Sequence, residues 1–300
     1  MADSAVAFDE TIAAPPASKP RSLRWDTLRR LWRHRSFRVG LALFAIIILA
    51  AILAPLISPI SPNKLQMRLR FEPPSWDHPF GTDNLGRSQL ARVVYGAQLS
   101  LFIGTAVVLV NAVFGTLIGA LAGYFKQLDN ALMRVNDAIM AFPAVLLAIG
   151  MAAVLGRSTP NMIIALSIVY IPRTARIVRS SVIVVSQMEY VQAAVAAGAG
   201  HWRILRRHIL PNSMAPLLVQ LSFLFAYAVL TEATLSFLGL GAEPPAPTWG
   251  NIMSEGRQYM REAPWIIAIP GAALAITVMA LNLLGDGLRD VLDPRLKIQQ

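Results

Sequence analysis

Cysteine is absent from the sequence, which excludes disulfides, thiolate metal sites and a cysteine nucleophile. Charge is scarce as well: 15% of the 300 residues are charged, against 55% hydrophobic residues and a mean hydropathy of +0.52. A soluble domain carries about 25% charged residues, so an integral membrane protein is expected, with the lipid bilayer as its solvent. None of the four lysines (Lys19, Lys64, Lys126, Lys297) follows a glycine. The phosphate-cradling loop G-x-x-x-x-G-K-[ST] is therefore missing, and the chain cannot hydrolyse ATP by that route. His34, His78, His201 and His208 make no H-E-x-x-H pair, and none lies inside an apolar run. That removes the zinc-protease pattern and the histidine base of an intramembrane serine protease. Asp137 and Asp286 lie near the ends of apolar runs, and an aspartyl dyad built from them has no further support. No metal or cofactor is expected to bind this chain.

What the sequence does contain is apolar runs long enough to cross a bilayer, separated by basic connections. Residues 1–24 read as a disordered tail, rich in Ala, Pro and Ser. Eight basic residues follow between Lys19 and Arg38, with Asp26 the lone acid. By the positive-inside rule they hold this end in the cytoplasm, and lipid rather than nucleic acid is the expected partner of the net charge of +10. The first apolar run begins only near Val39 and ends without a small-residue cleavage pattern, so it reads as a span and not a cleavable signal. Six spans are expected, at about Val39–Ile57, Ala97–Tyr124, Val135–Leu155 with a kink at Pro143, Met162–Ile171, Pro216–Leu240 and Trp265–Leu284. Both termini then lie in the cytoplasm. The fourth span is short, and Arg173, Arg176 and Arg179 follow it, placed to snorkel toward the cytoplasmic surface. Gly96, Ser100 and Gly104, then Gly115, Gly119 and Gly123, recur every four residues, a spacing that lets helix backbones approach closely in lipid. Thr82 or Asp83 is placed to cap a short helix before the second span. Glu232 is the one acid deep inside a span. Such a carboxylate is a candidate functional group, with a structural hydrogen bond to a neighbouring helix as the favoured reading.

The polar, basic stretch Ser186–Pro211 interrupts the fourth and fifth runs. Ser186 and Glu189 have the spacing of a capping box, Gly198 and Gly200 suit a helix end, and His201–Leu210 resumes helical spacing. Trp202, Leu205 and Ile209 share one face of that second helix, with Arg203, Arg206 and Arg207 mostly elsewhere.

Gln192-Ala193-Ala194, then Gly198, then Ile209-Leu210-Pro211 resembles the signature E-A-A-x-x-x-G-x9-I-x-L-P of the integral membrane subunits of binding-protein-dependent ABC importers. With FGTDNLGRS at 80–88, TEATLSFLGLG at 231–241, PPAPTWGNI at 244–252 and LGDGLRDVLDPR at 284–295, the chain is similar to the C-type subunit of dipeptide and oligopeptide permeases over roughly residues 25–295. Two positions depart from the signature: Gln192 replaces its Glu, and His208 stands where its Ile is usual, with Ile209 one place later. The resemblance implies an all-α, polytopic fold of the type I importer class. It divides the chain into the tail 1–24, a first span and extracytoplasmic loop at 25–95, a transmembrane domain at 96–290 with its coupling loop at 186–211, and a short tail at 291–300. It implies that Glu189, Gln192, Ala193, Ala194, Gly198, Arg203, Arg206, Leu210 and Pro211 meet an ATP-binding subunit, with Glu189 placed to supply the charge that Gln192 lacks. ATP and Mg would sit on the partners. The partners implied are a second homologous permease subunit forming a heterodimer, two ATP-binding subunits or one fused ATPase, and an extracytoplasmic substrate-binding protein, all at the bacterial inner membrane. Short peptides are the expected cargo, with nickel or glutathione as alternatives. A self-contained channel or an intramembrane enzyme is the reading from a different class.

Overall fold

A computed structural model describes residues 23–292, with side chains from residue 28. Most of the expected tail 1–24, and nearly all of 291–300, lie outside the described residues. Among the described residues helices are the regular structure, joined by irregular connections, with a lone backbone bridge between Thr82 and Ser88. Helices α1 (Leu23–Arg33), α2 (Arg35–Ile52) and the short α3 (Ala54–Ile57) lead into an irregular connection, and α4 (Gln89–Tyr124) follows. After it come α5 (Lys126–Met140), α6 (Ala144–Leu155) and α7 (Thr159–Ser186). The interruption holds α8 (Glu189–Ala196), α9 (His201–Ile204), a π turn at Leu205–Ile209 and α10 (Leu210–Asn212). The chain ends with α11 (Met214–Phe237), α12 (Trp249–Gly256) and α13 (Trp265–Leu292).

Five of these helices, α2, α4, α7, α11 and α13, are long and apolar enough to cross a membrane, and α5 with α6 makes a sixth if the bent pair is one span. That bend is 88°, far more than the kink expected at Pro143. Proline removes a backbone donor and starts α6 afresh. Ion pairs meanwhile hold the amphipathic α5 against α7: Arg179 Nε donates to Asp129 Oδ1 at 2.5 Å and Arg176 Nη2 to Asp137 Oδ1 at 2.6 Å. The fourth span is correspondingly longer than expected. Pro172 is buried inside α7 and the helix continues through it to Ser186, so the arginines that follow do not end the span, and two of them pair with α5.

The two rows of small residues pack as their spacing requires. A Cβ on Gly104 would meet Phe225 and Val229 of α11 at 2.6 Å, and one on Gly119 would lie 2.4 Å from the carbonyl oxygen of Ala175 in α7. Among the described residues the bundle has three apolar centres. One lies around Trp249, Ile252 and Ile266, a second around Ile103, Leu166 and Leu224, and a third around Val178, Val182 and Leu217 beside α8 and α9. The helix ends thus form two poles: a loop pole carrying 186–213, and an opposite pole carrying 53–88 and 238–264.

Candidate functional site: a capped loop at one pole

The loop Ser186–Pro211 is built differently from its expected capping box. Ser186 is the last residue of α7, and its hydroxyl donates back to the Ile183 carbonyl at 2.8 Å. Helix α8 begins at Glu189 after Met188, with no side-chain cap. Its other end matches expectation. Gly198 has φ +78°, its N–H donates to Val195 O at 2.9 Å, and the Ala199 N–H donates to Ala194 O at 3.0 Å. This pair of bonds closes a Schellman turn, which needs a left-handed residue and so favours glycine. Gly200 has ordinary dihedrals and instead precedes the next helix.

Apolar anchors hold the loop down. Val191, Ile204, Leu205 and Ile209 are buried against Ala120 of α4, Val178, Val182 and Val185 of α7, and Leu217 of α11. Trp202 does not join Leu205 and Ile209 on the buried face; it is 67% exposed, and Ile204 fills that role. The widened π turn adds a residue to the helical repeat, so the three-and-four spacing read from Trp202 does not carry through. Tyr124 at the end of α4 hydrogen-bonds His201 Nδ1 at 2.9 Å, and Tyr190 lies against the His208 ring with centroids 6.4 Å apart. His208 therefore joins α8 to the π turn.

The outward surface carries Glu189, Gln192, Ala193, Arg203, Arg206 and Pro211, all exposed, with Ala194 and Leu210 half-buried. Glu189, Arg203, Arg206 and Arg207 make no ion pair among the described residues. The Gln192 amide donates to the Ser186 carbonyl at 2.8 Å, satisfying an acceptor at the end of α7. A carboxylate at this position accepts only and cannot make that bond.

Glu232 stands apart from this loop, near the far end of α11. It is fully buried; Ser236 Oγ donates to its Oε1 at 2.7 Å, and Oε2 has no hydrogen-bond partner. The hydroxyls of Ser100 and Thr248 approach the same carboxyl without bonding geometry at Oε2. Each of these hydroxyls already accepts a backbone N–H, Ser100 from Trp249 at 3.3 Å and Thr248 from Asn251 at 3.1 Å. Glu232 thus lies where α4, α11 and the start of α12 meet, but its one hydrogen bond is to Ser236 of its own helix rather than to a neighbouring one.

A second polar cluster escaped the sequence reading. Asp83 Oδ2 accepts from Arg87 Nε at 2.5 Å and from Arg92 Nη1 at 2.7 Å; Arg92 Nη1 and Nη2 reach Glu255 at 2.7 and 3.0 Å, and Arg87 also pairs with Glu255. Burial drives the Glu255 carboxyl upward, but the hydrogen bonds and charges of Arg92 and Arg87 outweigh it and hold the group below its ordinary value. Asp83 Oδ1 accepts the backbone N–H groups of Leu85 and Arg87, so Asp83 shapes a turn and caps no helix; Ser88 caps α4. His78 faces Glu72 at 3.4 Å, not its neighbour Asp77. The motifs at 80–88 and 244–252 are each tied down beside this cluster: Trp265 donates to Thr82 O and Trp249 to Val93 O, both at 3.0 Å. The signal available in the sequence was Arg92, a charge inside the first turns of an apolar helix. Its partner Glu255, 163 residues away, carried none. The connection 241–264, left between the expected fifth and sixth spans, contains α12, capped by Thr248.

Residues 115–298 match the family described as binding-protein-dependent transport system inner membrane component. Residues 22–74 match the N-terminal TM domain of oligopeptide transport permease C. A Brucella abortus protein named for a peptide transport system permease is 56% identical over 91% of this chain and 92% of its own length. A dipeptide transport system permease protein of Alkalihalophilus pseudofirmus is 43% identical over 91% of this chain and 90% of its own. Among solved structures, an inward-facing methionine ABC transporter chain superposes with a TM-score of 0.57 at 19% identity, covering 67% of this chain and 96% of that one. That likeness concerns the fold.

Proposed function

Because the chain belongs to the binding-protein-dependent transport system inner membrane components, a family of multi-pass, non-enzymatic permease subunits of ABC importers, we propose that it carries short peptides across the bacterial inner membrane and takes its energy from ATP-binding subunits docked at the loop pole. The peptide cargo is supported by the names of relatives 43% and 56% identical over nine-tenths of the chain. The family works with a second permease, ATPases and a binding protein; for this chain we read a heterodimer, with ATP and Mg held by the partners, both termini in the cytoplasm, and residues 96–290 as the transport unit.

The observation that carries the coupling role is the loop's two-sided construction. Its inner side is sealed by Val191, Ile204, Leu205 and Ile209 onto three spanning helices. Its outer side exposes Glu189, Gln192, Ala193, Arg203, Arg206 and Trp202, with the charges of Glu189, Arg203 and Arg206 unpaired among the described residues. A displacement applied outside is transmitted to α4, α7 and α11, because a packed interior moves as a body and does not absorb it. The two alanines leave room for a groove wall, and the arginines suit an acidic rim. Gly198 shapes the loop's exit, and Leu210 with Pro211 starts the run into α11. Gln192, tied to Ser186, acts as a tether of α8 to the fourth span, so the charged contact of the signature falls to Glu189.

The test is to copurify the complex with its binding protein and ask which ligands stimulate ATP hydrolysis. Stimulation by dipeptides, absent with nickel and glutathione, is expected. Flux through the chain alone without ATP would overturn the reading in favour of a channel.

A further inference from the structure

A cavity of about 540 Å³ opens at the loop pole between α7, α11 and α13. Arg173 and Arg289 line it from two helices, with Asn212 and Gln220 as its neutral polar groups and Val219 and Phe223 in its apolar wall. No carboxylate is among its lining residues. The three arginines of α7 divide here: Arg176 and Arg179 are paired with Asp137 and Asp129, whereas Arg173 makes no ion pair among the described residues and lies over the Tyr227 ring at 5.3 Å. Arg289 is likewise unpaired among them. Gln220 faces the same space: it is 6% exposed, lines the cavity, and is not among the fully buried polar groups without a partner, so its amide is open to whatever enters.

Depth narrows the chemistry. The cavity lies where α11 begins and α13 ends, the level at which bilayer headgroups meet a spanning bundle. Two guanidiniums beside an apolar wall match an anion with a hydrophobic body, and guanidinium holds phosphate through paired N–H groups. Basic pockets between spanning helices are known lipid sites. We propose that this cavity binds the phosphate headgroup of an anionic phospholipid from the leaflet at the loop pole. Arg173 and Arg289 hold the phosphate, Gln220 meets an ester or glycerol oxygen, and the chains leave past Val219 and Phe223. A lipid seated there bridges the C-terminal turn of α13 to α7 and α11, beside the loop.

The other source of such an anion is the carboxylate of a short peptide, and the experiment separates the two. The full chain, with whatever subunits copurify, is reconstituted in vesicles of phosphatidylcholine or of equimolar phosphatidylcholine and phosphatidylglycerol. It is then re-extracted, and bound lipid is measured by native mass spectrometry. Selective retention of phosphatidylglycerol is expected. The double variant Arg173→Gln, Arg289→Gln should weaken it about tenfold or more, as loss of charge-assisted bonds implies. Gln220→Leu should weaken it less, and Arg203→Gln with Arg206→Gln should leave it unchanged. The charge-keeping pair Arg173→Lys, Arg289→Lys should retain more lipid than the neutral pair, which separates binding from misfolding. Equal retention of both lipids, or an unaffected neutral double variant, overturns the proposal. Displacement by a dipeptide such as alanyl-leucine overturns it too, by making the cavity a cargo site.

Discussion

At the scale of single residues, the two acids with most to lose are Glu255 and Glu232, and they respond to opposite tests. The Glu255 carboxyl is held below its ordinary value of 4.5. A group depressed in this way stabilises the fold fully above its unfolded value and loses that contribution as pH falls through the lowered folded one. The melting temperature of the protein should therefore decline on acidification below about 4.5. Glu255→Gln should be destabilised by about 2 kcal/mol at neutral pH, less than a fully buried pair because Glu255 is partly exposed, and should show a flatter acid limb in a thermal melt. Glu232→Gln keeps an oxygen for Ser236 and places its NH₂ where Oε2 lacks a partner. A loss of about 1 kcal/mol is expected, with the pH dependence of uptake unchanged in a vesicle assay. A shifted pH profile would instead make Glu232 a proton carrier.

At the scale of elements, Gly198 and Gly119 show two ways in which a missing side chain serves a helix. Nothing lies within 4 Å of a Cβ placed on Gly198, so bulk there meets no neighbour in this chain and the cost is conformational. Gly198→Ala should destabilise the end of α8 by about 1 to 2 kcal/mol through its positive φ, whereas Gly198→Asn should cost less because Asn tolerates that region. If coupling depends on the turn itself, ATP-driven uptake falls in the order glycine, asparagine, alanine while membrane insertion is preserved. Gly198→Arg combines that strain with a bulky, charged group on the docking face and should abolish coupling. At Gly119 the constraint is close contact with α7. Gly119→Leu forces α4 and α7 apart, at about 2 kcal/mol or more, visible as a lower melting temperature and poor accumulation in the membrane.

For the whole molecule, the two poles follow from helix directions, and the side of the membrane each faces is open to direct test. The natural chain has no cysteine, so single substitutions report cleanly. Trp76, fully exposed at the opposite pole, and Gln187, exposed at the loop pole, are suitable sites. A membrane-impermeant maleimide should label Trp76→Cys in intact cells and Gln187→Cys only after the membrane is opened. The reverse pattern would invert the topology. The same layout separates features along the bundle: the proposed coupling surface and the Arg173–Arg289 cavity at one pole, and the Asp83–Arg87–Arg92–Glu255 cluster at the other. Trp249 locks α12 onto α4 through Ser100 and the Val93 carbonyl.

Apolar length and the spacing of small residues were legible in the sequence, because both are local: a bilayer demands long apolar helices with satisfied backbones, and glycines four apart must share a face. The turn at Gly198 was legible for the same reason. The false capping box, the exposed Trp202, the 88° bend before Pro143 and the full length of α7 were not. Each depends on a competing partner that local pattern does not reveal: Ser186 claimed by α7, the π turn shifting the helix face, and Asp129 and Asp137 neutralising the arginines that seemed to end a span. By itself the sequence determined that this is a multi-span membrane chain with a basic loop that turns at Gly198 between its fourth and fifth spans. Only the tertiary structure decided which polar groups are spent and which remain to act, since whether Arg92, Arg176, Arg179 or Arg173 has a partner is set by residues brought near from distant parts of the chain.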